Sequence, residues 1–218
     1  MSSSGGVAEA RASMVERQLR RRGITDERVL DAMARVPREL FVPEGLRGYA
    51  YDDGALPIGH GQTISQPFVV ATICSLLALE SDECVLDVGT GSGYQAAVLA
   101  ELAAEVVTIE CIPELAETAR EALAQAGYAY VDVRIGDGSL GVPECAPFAG
   151  IAVAAAAPTV PSALYAQLAD GGRIVVPRGT RRGQDLMLVT RTLAGPVERC
   201  SIPCRFVPLL GDGGFGRD

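Results

Sequence analysis

The chain has 218 residues, of which 48% are hydrophobic, so it is long and apolar enough for one domain with a sizeable core. Its formal net charge of −8 argues against nonspecific binding to nucleic acid, which relies on a basic surface. It contains neither a run of about 18 apolar residues nor a secretory hydrophobic region, so no membrane span is expected.

The six cysteines are scattered along the chain and do not form a pattern of metal ligands. Only Cys200 and Cys204 are close in sequence, and neither a second pair nor a histidine cluster accompanies them. We therefore expect no metal site, and we interpret the cysteines as reduced thiols of a cytoplasmic protein.

Three helices are predicted before the first buried strand. Residues 1–7 are expected to form a disordered tail. The predicted helices cover residues 8–22, which Gly23 ends; a stretch from a cap at Thr25 or Asp26 to Arg35; and a stretch from Pro67 to Leu79.

The segment between Pro37 and Gln66 is rich in Gly, Pro, Tyr and Asp, and neither a helix nor a strand is predicted in it. A connection this long is usually a lid or a binding loop. We expect residues 8–80, which contain this loop and the helices, to pack on a core formed by residues 81–218 within a single structural domain.

Strands alternate with helices from residue 84 onward, which favours an α/β fold with a doubly wound, mostly parallel sheet and helices on both faces. Strands are predicted at 84–88, 106–109, 131–135, 151–153 and 173–176, and helices at 94–103, 113–126 and 161–168. Residues 186–190 and 205–209 are predicted to form an antiparallel pair at the end. A ligand is expected at the carboxyl ends of the strands.

The stretch from Cys84 to Tyr94 is a buried strand that runs through a glycine-rich turn into a helix. Gly89, Gly91 and Gly93 alternate with other residues, whereas the dinucleotide fingerprint spaces its glycines as G-x-G-x-x-G. Asp87 precedes them, and a carboxylate there would repel a pyrophosphate but suit a ligand with a sulfonium or ammonium group. The pattern resembles the first motif of S-adenosylmethionine-dependent methyltransferases; a corner without a ligand is the alternative.

Two further acids are predicted at the ends of the next two strands. Glu110 lies 21 residues after Gly89, the spacing at which a carboxylate accepts hydrogen bonds from ribose hydroxyls. Asp137 lies between two glycines and could accept from an adenine amino group. A solvated strand end and a plain Asp-Gly turn are the respective alternatives. Together with Asp87, these acids should converge on one edge of the sheet.

Longer motifs make the resemblance more specific. They are Val36–Pro43, Ala55–Pro67 with Thr63-Ile64-Ser65-Gln66-Pro67 at its end, Gly136-Asp137-Gly138, and Phe206-Val207-Pro208-Leu209. From about Met14 to Leu209, the chain resembles the protein-L-isoaspartate O-methyltransferases. The resemblance implies a Rossmann-like methyltransferase sheet, S-adenosylmethionine as cofactor and S-adenosylhomocysteine as product.

The resemblance also assigns roles to residues. It implies that Ser65 is the catalytic residue, although a hydroxyl at this position could instead cap the helix that starts at Pro67. His60 is interpreted as a turn residue over the cofactor and not as a base. The implied cofactor-binding residues are Gln62, Thr63, Ser65, Asp87, Gly89, Gly91, Gly93, Glu110, Asp137, Gly138 and Gln184.

The expected function is methyl transfer to the carboxylate of L-isoaspartyl residues in damaged proteins and peptides, which leads to repair through a methyl ester and a succinimide. A methyltransferase for a dedicated biosynthetic peptide or a small acid is one alternative, and a noncatalytic module that binds a nucleoside or peptide is another. The expected protein is a cytoplasmic monomer that binds neither nucleic acid nor membranes.

Overall fold

The computed structural model describes residues 4–216, and its side chains from residue 6 onward. The helices are α1 (Ser4–Met14), α2 (Glu27–Arg35), α3 (Pro67–Leu77), α4 (Tyr94–Ala100), α5 (Pro113–Gln125) and α6 (Ser162–Ala166). The strands are β1 (Leu56–Gly59), β2 (Gln62–Ile64), β3 (Cys84–Val88), β4 (Glu105–Glu110), β5 (Asp132–Ile135), β6 (Phe148–Val153), β7 (Leu168–Gly179), β8 (Gln184–Thr192) and β9 (Gly195–Cys204).

Within the described residues, seven strands form one sheet in the order β5-β4-β3-β6-β7-β8-β9. The first five of these strands are parallel, and β8 and β9 continue the sheet as an antiparallel meander. The strand order reverses between β3 and β6, so a crevice is expected above the carboxyl ends of these two strands. The predicted doubly wound, mostly parallel sheet is confirmed.

Side chains of β3 alternate between two cores, as the two-residue period of a strand requires. Val85 belongs to a core that also contains side chains of α1 to α5. Leu86 and Val88 belong to a second core on the other face, where Leu164 of α6 packs. Helices therefore cover both faces of the sheet and leave the strand ends as the open edge.

The N-terminal helices differ from the prediction at their start. Helix α1 begins at Ser4, so the predicted tail is too long; residues 1–3 lie outside the described residues. A π-helical turn (Val15–Leu19) and a 3₁₀ turn (Arg20–Arg22) extend α1 to Gly23, whose φ of +96° ends it. Asp26 caps α2 by accepting a hydrogen bond from Arg28 N.

The segment from Pro37 to Gln66 contains more regular structure than predicted. Two 3₁₀ turns (Arg38–Phe41 and Glu44–Tyr49) are followed by the antiparallel hairpin of β1 and β2. His60 and Gly61 form its turn with φ of +53° and +71°, because a two-residue hairpin turn requires positive φ at both positions. The expectation of an irregular loop was therefore wrong.

The end of the sheet also differs from the prediction. Strand β8 pairs with Gly195–Cys204 and not with the predicted residues 205–209. The chain leaves the sheet after Cys204 and runs beside Ala156, which bonds Val207 and Leu209 through its backbone. Strand β9 is the outer strand, and five successive residues from Pro196 to Cys200 are exposed.

Across residues 4–216, every helix is too short or too polar to traverse a bilayer.

Candidate active site

A cavity of about 360 Å³ opens above the carboxyl ends of β3, β4 and β6, a volume within the usual range for small-molecule sites. The parts of the chain that line it include the hairpin segment, the glycine turn with the start of α4, the ends of β4, β5 and β6, and the chain that follows β9. Its wall includes Gln62, Thr63, Ser65, Gln66, Gly89, Thr90, Gly91, Ser92, Tyr94, Gln95, Glu110, Ile112, Gly138, Ala154, Arg205, Phe206, Val207, Leu209 and Leu210.

The glycine turn after β3 forms the floor of the cavity. Gly89 and Gly91 line it, whereas Gly93 lies outside the wall and faces α5. Its φ is +88°, and a Cβ there would stand 3.2 Å from Leu123 Cγ, so this glycine serves packing. Ile58 of the hairpin lies directly over Gly91, where an added Cβ would meet Ile58 Cδ1 at 3.4 Å.

Asp87 lies behind the cavity wall, which differs from the prediction that its carboxylate lines the cavity. The side chain is fully buried, and its two oxygens accept hydrogen bonds from Gln95 Nε2 at 2.8 Å and Thr108 Oγ1 at 2.9 Å. Burial raises the pKa of the Asp87 carboxyl to about 6. Asp87 can therefore act on a ligand only by its charge or through the side chains that it hydrogen-bonds.

A hydroxyl chain continues from Asp87 to the wall. Because Thr108 donates its proton to Asp87, Thr90 must donate across the 2.7 Å that separates the two threonine hydroxyls. Thr90 lines the cavity. The buried carboxylate thus fixes the orientation of two residues of the wall, Gln95 and Thr90.

Glu110 lines the cavity at the end of β4, as predicted, and is 6% exposed. Three backbone N–H groups hold its carboxylate: Gly91 N at 2.9 Å on one oxygen, and Cys111 N at 2.9 Å and Ile112 N at 3.1 Å on the other. The carboxylate is therefore held in one orientation, with remaining acceptor capacity toward the cavity. This arrangement suits a ribose diol.

Asp137 lies after β5, as predicted, but only its neighbour Gly138 lines the cavity. One oxygen of Asp137 accepts from Ser139 N and Ser139 Oγ at 2.9 and 2.6 Å. The other accepts from Asp212 N at 3.0 Å. Asp137 therefore anchors the segment that follows β9, and this segment supplies Leu209 and Leu210 to the wall.

The hairpin segment brings Gln62, Thr63 and Ser65 to the other side of the cavity. The Ser65 hydroxyl forms no hydrogen bond among the described residues, and the N-cap of α3 is Gln66 without a side-chain cap. The alternative role of Ser65 as a helix cap is therefore not realised. His60 is an exposed turn residue, as predicted, and lies outside the wall. Its place over a bound cofactor stays a prediction.

Gln184 also lies outside the wall, but it positions part of it. Its side-chain oxygen accepts from Phe206 N at 2.7 Å, and its nitrogen donates to Phe206 O at 3.3 Å and Thr180 O at 3.0 Å. Buried in this way, Gln184 fixes Phe206 at the rim of the cavity. Gln184 therefore supports a wall residue, and its contact with the cofactor stays a prediction.

Residues 9–213 match the family model described as protein-L-isoaspartate(D-aspartate) O-methyltransferase. The chain belongs to the protein-L-isoaspartate O-methyltransferase family. A relative from Marinobacter nauticus, named protein-L-isoaspartate O-methyltransferase 2, is 56% identical over 96% of both chains. One from Aeropyrum pernix, named protein-L-isoaspartate O-methyltransferase, is also 56% identical, over 96% of this chain and 83% of its own.

Solved structures agree with this family. A protein-L-isoaspartate O-methyltransferase with 29% identity superposes with a TM-score of 0.83 and covers 94% of this chain and 67% of its own. A putative protein-L-isoaspartate O-methyltransferase from Plasmodium falciparum, in complex with S-adenosyl-L-homocysteine, has 25% identity and a TM-score of 0.80 over 92% and 98%. The predicted family and its cofactor are confirmed.

The residues that line the cavity fit S-adenosylmethionine. Glu110 offers carboxylate oxygens at one end, and Gln95 adds a side-chain oxygen that is buried and unpaired among the described residues. Such an orphaned acceptor suits an ammonium or another donor of a ligand. No group of three or more His, Cys, Asp or Glu side chains in residues 4–216 could hold a metal ion.

The prediction missed Tyr94, Gln95 and the chain after β9 as parts of the wall. Phe206-Val207-Pro208-Leu209 was noticed as a motif but was interpreted as a strand. Pro208 is one signal against that interpretation, since proline cannot donate a ladder hydrogen bond.

Proposed function

We propose that this chain transfers the methyl group of S-adenosylmethionine to the carboxylate of L-isoaspartyl residues in damaged proteins and peptides. The observation that carries the proposal is that two unlike groups line one cavity. Backbone N–H groups hold the Glu110 carboxylate, and the Ser65 hydroxyl of the hairpin segment has no hydrogen-bond partner among the described residues.

The cofactor end is formed by the glycine turn and the end of β4. Glu110 would bind the ribose hydroxyls, and Gly89 and Gly91 would allow the backbone to approach the ligand closely. Ile112, Leu209 and Leu210 supply apolar surface near Gly138 for the adenine ring. When bound, the cofactor supplies an electrophilic methyl group on a positively charged sulfur.

The substrate end is formed by Gln62, Thr63 and Ser65. A carboxylate is already ionised at neutral pH, so no general base is required. The Ser65 hydroxyl can donate a hydrogen bond to one carboxylate oxygen and leave the other oxygen directed at the methyl group. Catalysis then consists of alignment and the removal of water from the attacking oxygen.

Esterification activates the carboxyl group of the isoaspartyl residue toward nucleophilic attack. Attack by the neighbouring backbone amide expels methanol and closes a succinimide, and hydrolysis of this ring restores part of the normal aspartate. The reaction therefore repairs a damaged backbone without cutting it.

The test compares an isoaspartyl peptide with its aspartyl twin as acceptors of labelled methyl groups. We expect label in the isoaspartyl peptide alone, and Ser65→Ala should reduce that label while leaving the binding of S-adenosylhomocysteine intact. Equal labelling of both peptides, or of neither, would refute the proposed function. Label that enters only a small acid would support the alternative substrate class.

We further propose that the protein is a cytoplasmic monomer that does not bind nucleic acid. The net charge of −8 supports the lack of nucleic-acid binding. No disulfide links any of the six cysteines, all of which lie within the described residues, and this supports a reducing compartment. Light scattering on the purified protein tests the monomer.

A further inference from the structure

Arg38 is a charged residue with no exposed surface, in the 3₁₀ turn that precedes the hairpin. Its guanidinium donates two hydrogen bonds to backbone carbonyl groups: Nε to Ala50 O at 2.7 Å and Nη2 to Ser65 O at 2.8 Å. Ala50 precedes the hairpin of β1 and β2, and Ser65 follows it. One side chain therefore closes the base of the segment 50–65.

The same guanidinium contacts the cofactor side of the cavity. Its central carbon lies 4.6 Å from the centre of the Tyr94 ring, in a cation–π arrangement. Tyr94 is the first residue of α4 and lines the cavity next to the glycine turn. The rings of Tyr94 and Phe41 pack in a T-shaped arrangement, with their centres 5.7 Å apart. Arg38 thus joins the hairpin segment to the helix that starts at the cofactor end.

Within residues 4–216, the charge of Arg38 has no counter-ion. The guanidinium forms no salt bridge there, and its Nη1 atom is buried without a hydrogen-bond partner. A buried unpaired charge costs stability, and an apolar side chain of similar volume would fill the space more favourably. Two backbone carbonyl groups and one ring offset this cost only in part, so stability alone does not account for an arginine here.

We propose that Arg38 is a positioning residue for methyl transfer. It holds the base of the hairpin segment so that Ser65 faces the cofactor end, and its uncompensated positive charge behind Ser65 favours a carboxylate at that place. The inference rests on the proposed function. Arginine suits this role because its planar fork donates in two directions while its face stacks on a ring, which a lysine ammonium cannot do.

The experiment uses Arg38→Lys, with Arg173→Lys as the matched control. Arg173 is half-buried, donates to the backbone of Ala78 at 3.0 Å and has one unpaired buried nitrogen, but it lies outside the cavity wall. Calorimetry measures the affinity for S-adenosylhomocysteine, and steady-state methylation of an isoaspartyl peptide gives kcat and KM. Chemical unfolding reports the stability of each variant.

We expect Arg38→Lys to lower kcat by about ten- to a hundredfold, because small displacements of a positioned group cost this much. Its affinity for S-adenosylhomocysteine should stay within about threefold of the wild type, and Arg173→Lys should keep kcat within about twofold. Arg38→Met, which removes the charge, should in addition raise KM for the peptide above that of Arg38→Lys.

If the wild-type protein labels the isoaspartyl peptide, three results would overturn the inference about Arg38 and leave the proposed function standing. They are an unchanged kcat in Arg38→Lys, a loss of S-adenosylhomocysteine affinity as large as the loss of kcat, and an Arg38→Lys protein that does not fold. The last result would show that Arg38 supports the whole fold and not Ser65 in particular. A wild-type protein that labels no isoaspartyl peptide would instead refute the proposed function.

Discussion

Replacing Asp87 by Asn should stabilise the protein at neutral pH. The carboxyl is fully buried, and its pKa is raised to about 6, so the ionised form is disfavoured by about 3 kcal/mol relative to the unfolded chain. The Asn side-chain oxygen can accept a hydrogen bond from Thr108 Oγ1. After the Gln95 amide flips, the Asn side-chain nitrogen can donate to Gln95 Oε1, which is buried and unpaired among the described residues.

The sign of the pH dependence follows from the raised pKa. The folded wild type binds a proton at Asp87 more tightly than the unfolded chain does, so its stability falls as the pH rises from about 4 to about 6 and stays low above that. The Asp87→Asn variant does not lose stability in this way, because its amide does not ionise. Urea unfolding between pH 4 and pH 7.5 should therefore show Asp87→Asn gaining up to about 3 kcal/mol over the wild type, with most of the gain acquired below pH 6.

Asp82→Asn is the control, because Asp82 is an exposed turn residue. Its free energy of unfolding should lie within about 0.5 kcal/mol of the wild type. A free-energy difference between Asp87→Asn and the wild type that is constant from pH 4 to pH 7.5, or that favours the wild type at pH 7.5, would refute the reasoning. The variant should also bind S-adenosylmethionine more weakly relative to S-adenosylhomocysteine, since only the former carries a sulfonium charge for Asp87 to attract.

Three further substitutions test the two ends of the cavity. Ser65→Ala should lower kcat yet change the unfolding free energy by less than about 0.5 kcal/mol, because its hydroxyl forms no hydrogen bond within the described residues; a large loss of stability would contradict this. Glu110→Gln should weaken S-adenosylhomocysteine binding by about 1.5–3 kcal/mol in calorimetry, since an amide cannot accept from N–H groups on both its atoms; unchanged affinity would exclude Glu110 as the ribose acceptor. Arg205 is exposed at the cavity wall without an ion pair among the described residues. At low salt, Arg205→Ala should therefore raise KM for peptides in which acidic residues flank the isoaspartyl residue. An effect that persists at about 1 M salt would contradict a charge interaction.

Local patterns predicted the centre of the fold well. The strand Cys84–Val88 has the predicted bounds, because a short apolar run followed by alternating glycines leaves little choice of backbone. Glu110 lies where the spacing from Gly89 placed it, since the length of one helix and one strand sets that distance. Both features depend only on neighbouring residues and on the regular geometry of a βαβ unit.

Contacts between distant parts of the chain explain what the sequence did not predict. Asp137 was placed at the right strand end, but Asp212, 75 residues away, uses one of its carboxylate oxygens. Asp87 was expected to face the ligand, but Gln95 and Thr108 take up both oxygens. A local sequence pattern does not reveal which of several possible donors forms the hydrogen bond to a carboxylate in the folded chain.

Two errors in secondary structure have different causes. Strand β9 was missed because its outward residues are polar and exposed, so it lacks the apolar alternation of an interior strand. The hairpin of β1 and β2 was missed although its signal was present: Leu56, Ile58 and Ile64 flank a short turn with two glycines.

The two outer strands of the sheet affect whether the protein aggregates with partly unfolded substrate chains. Strand β5 presents Asp132 and Arg134, and β9 presents Pro196, Glu198 and Arg199. Aged polypeptides that have partly lost their fold expose β-prone segments, and these segments readily add to any bare sheet edge. Charged side chains on both outer strands, and Pro196 on β9, discourage such addition. The protein can therefore act on partly unfolded chains without joining their aggregates.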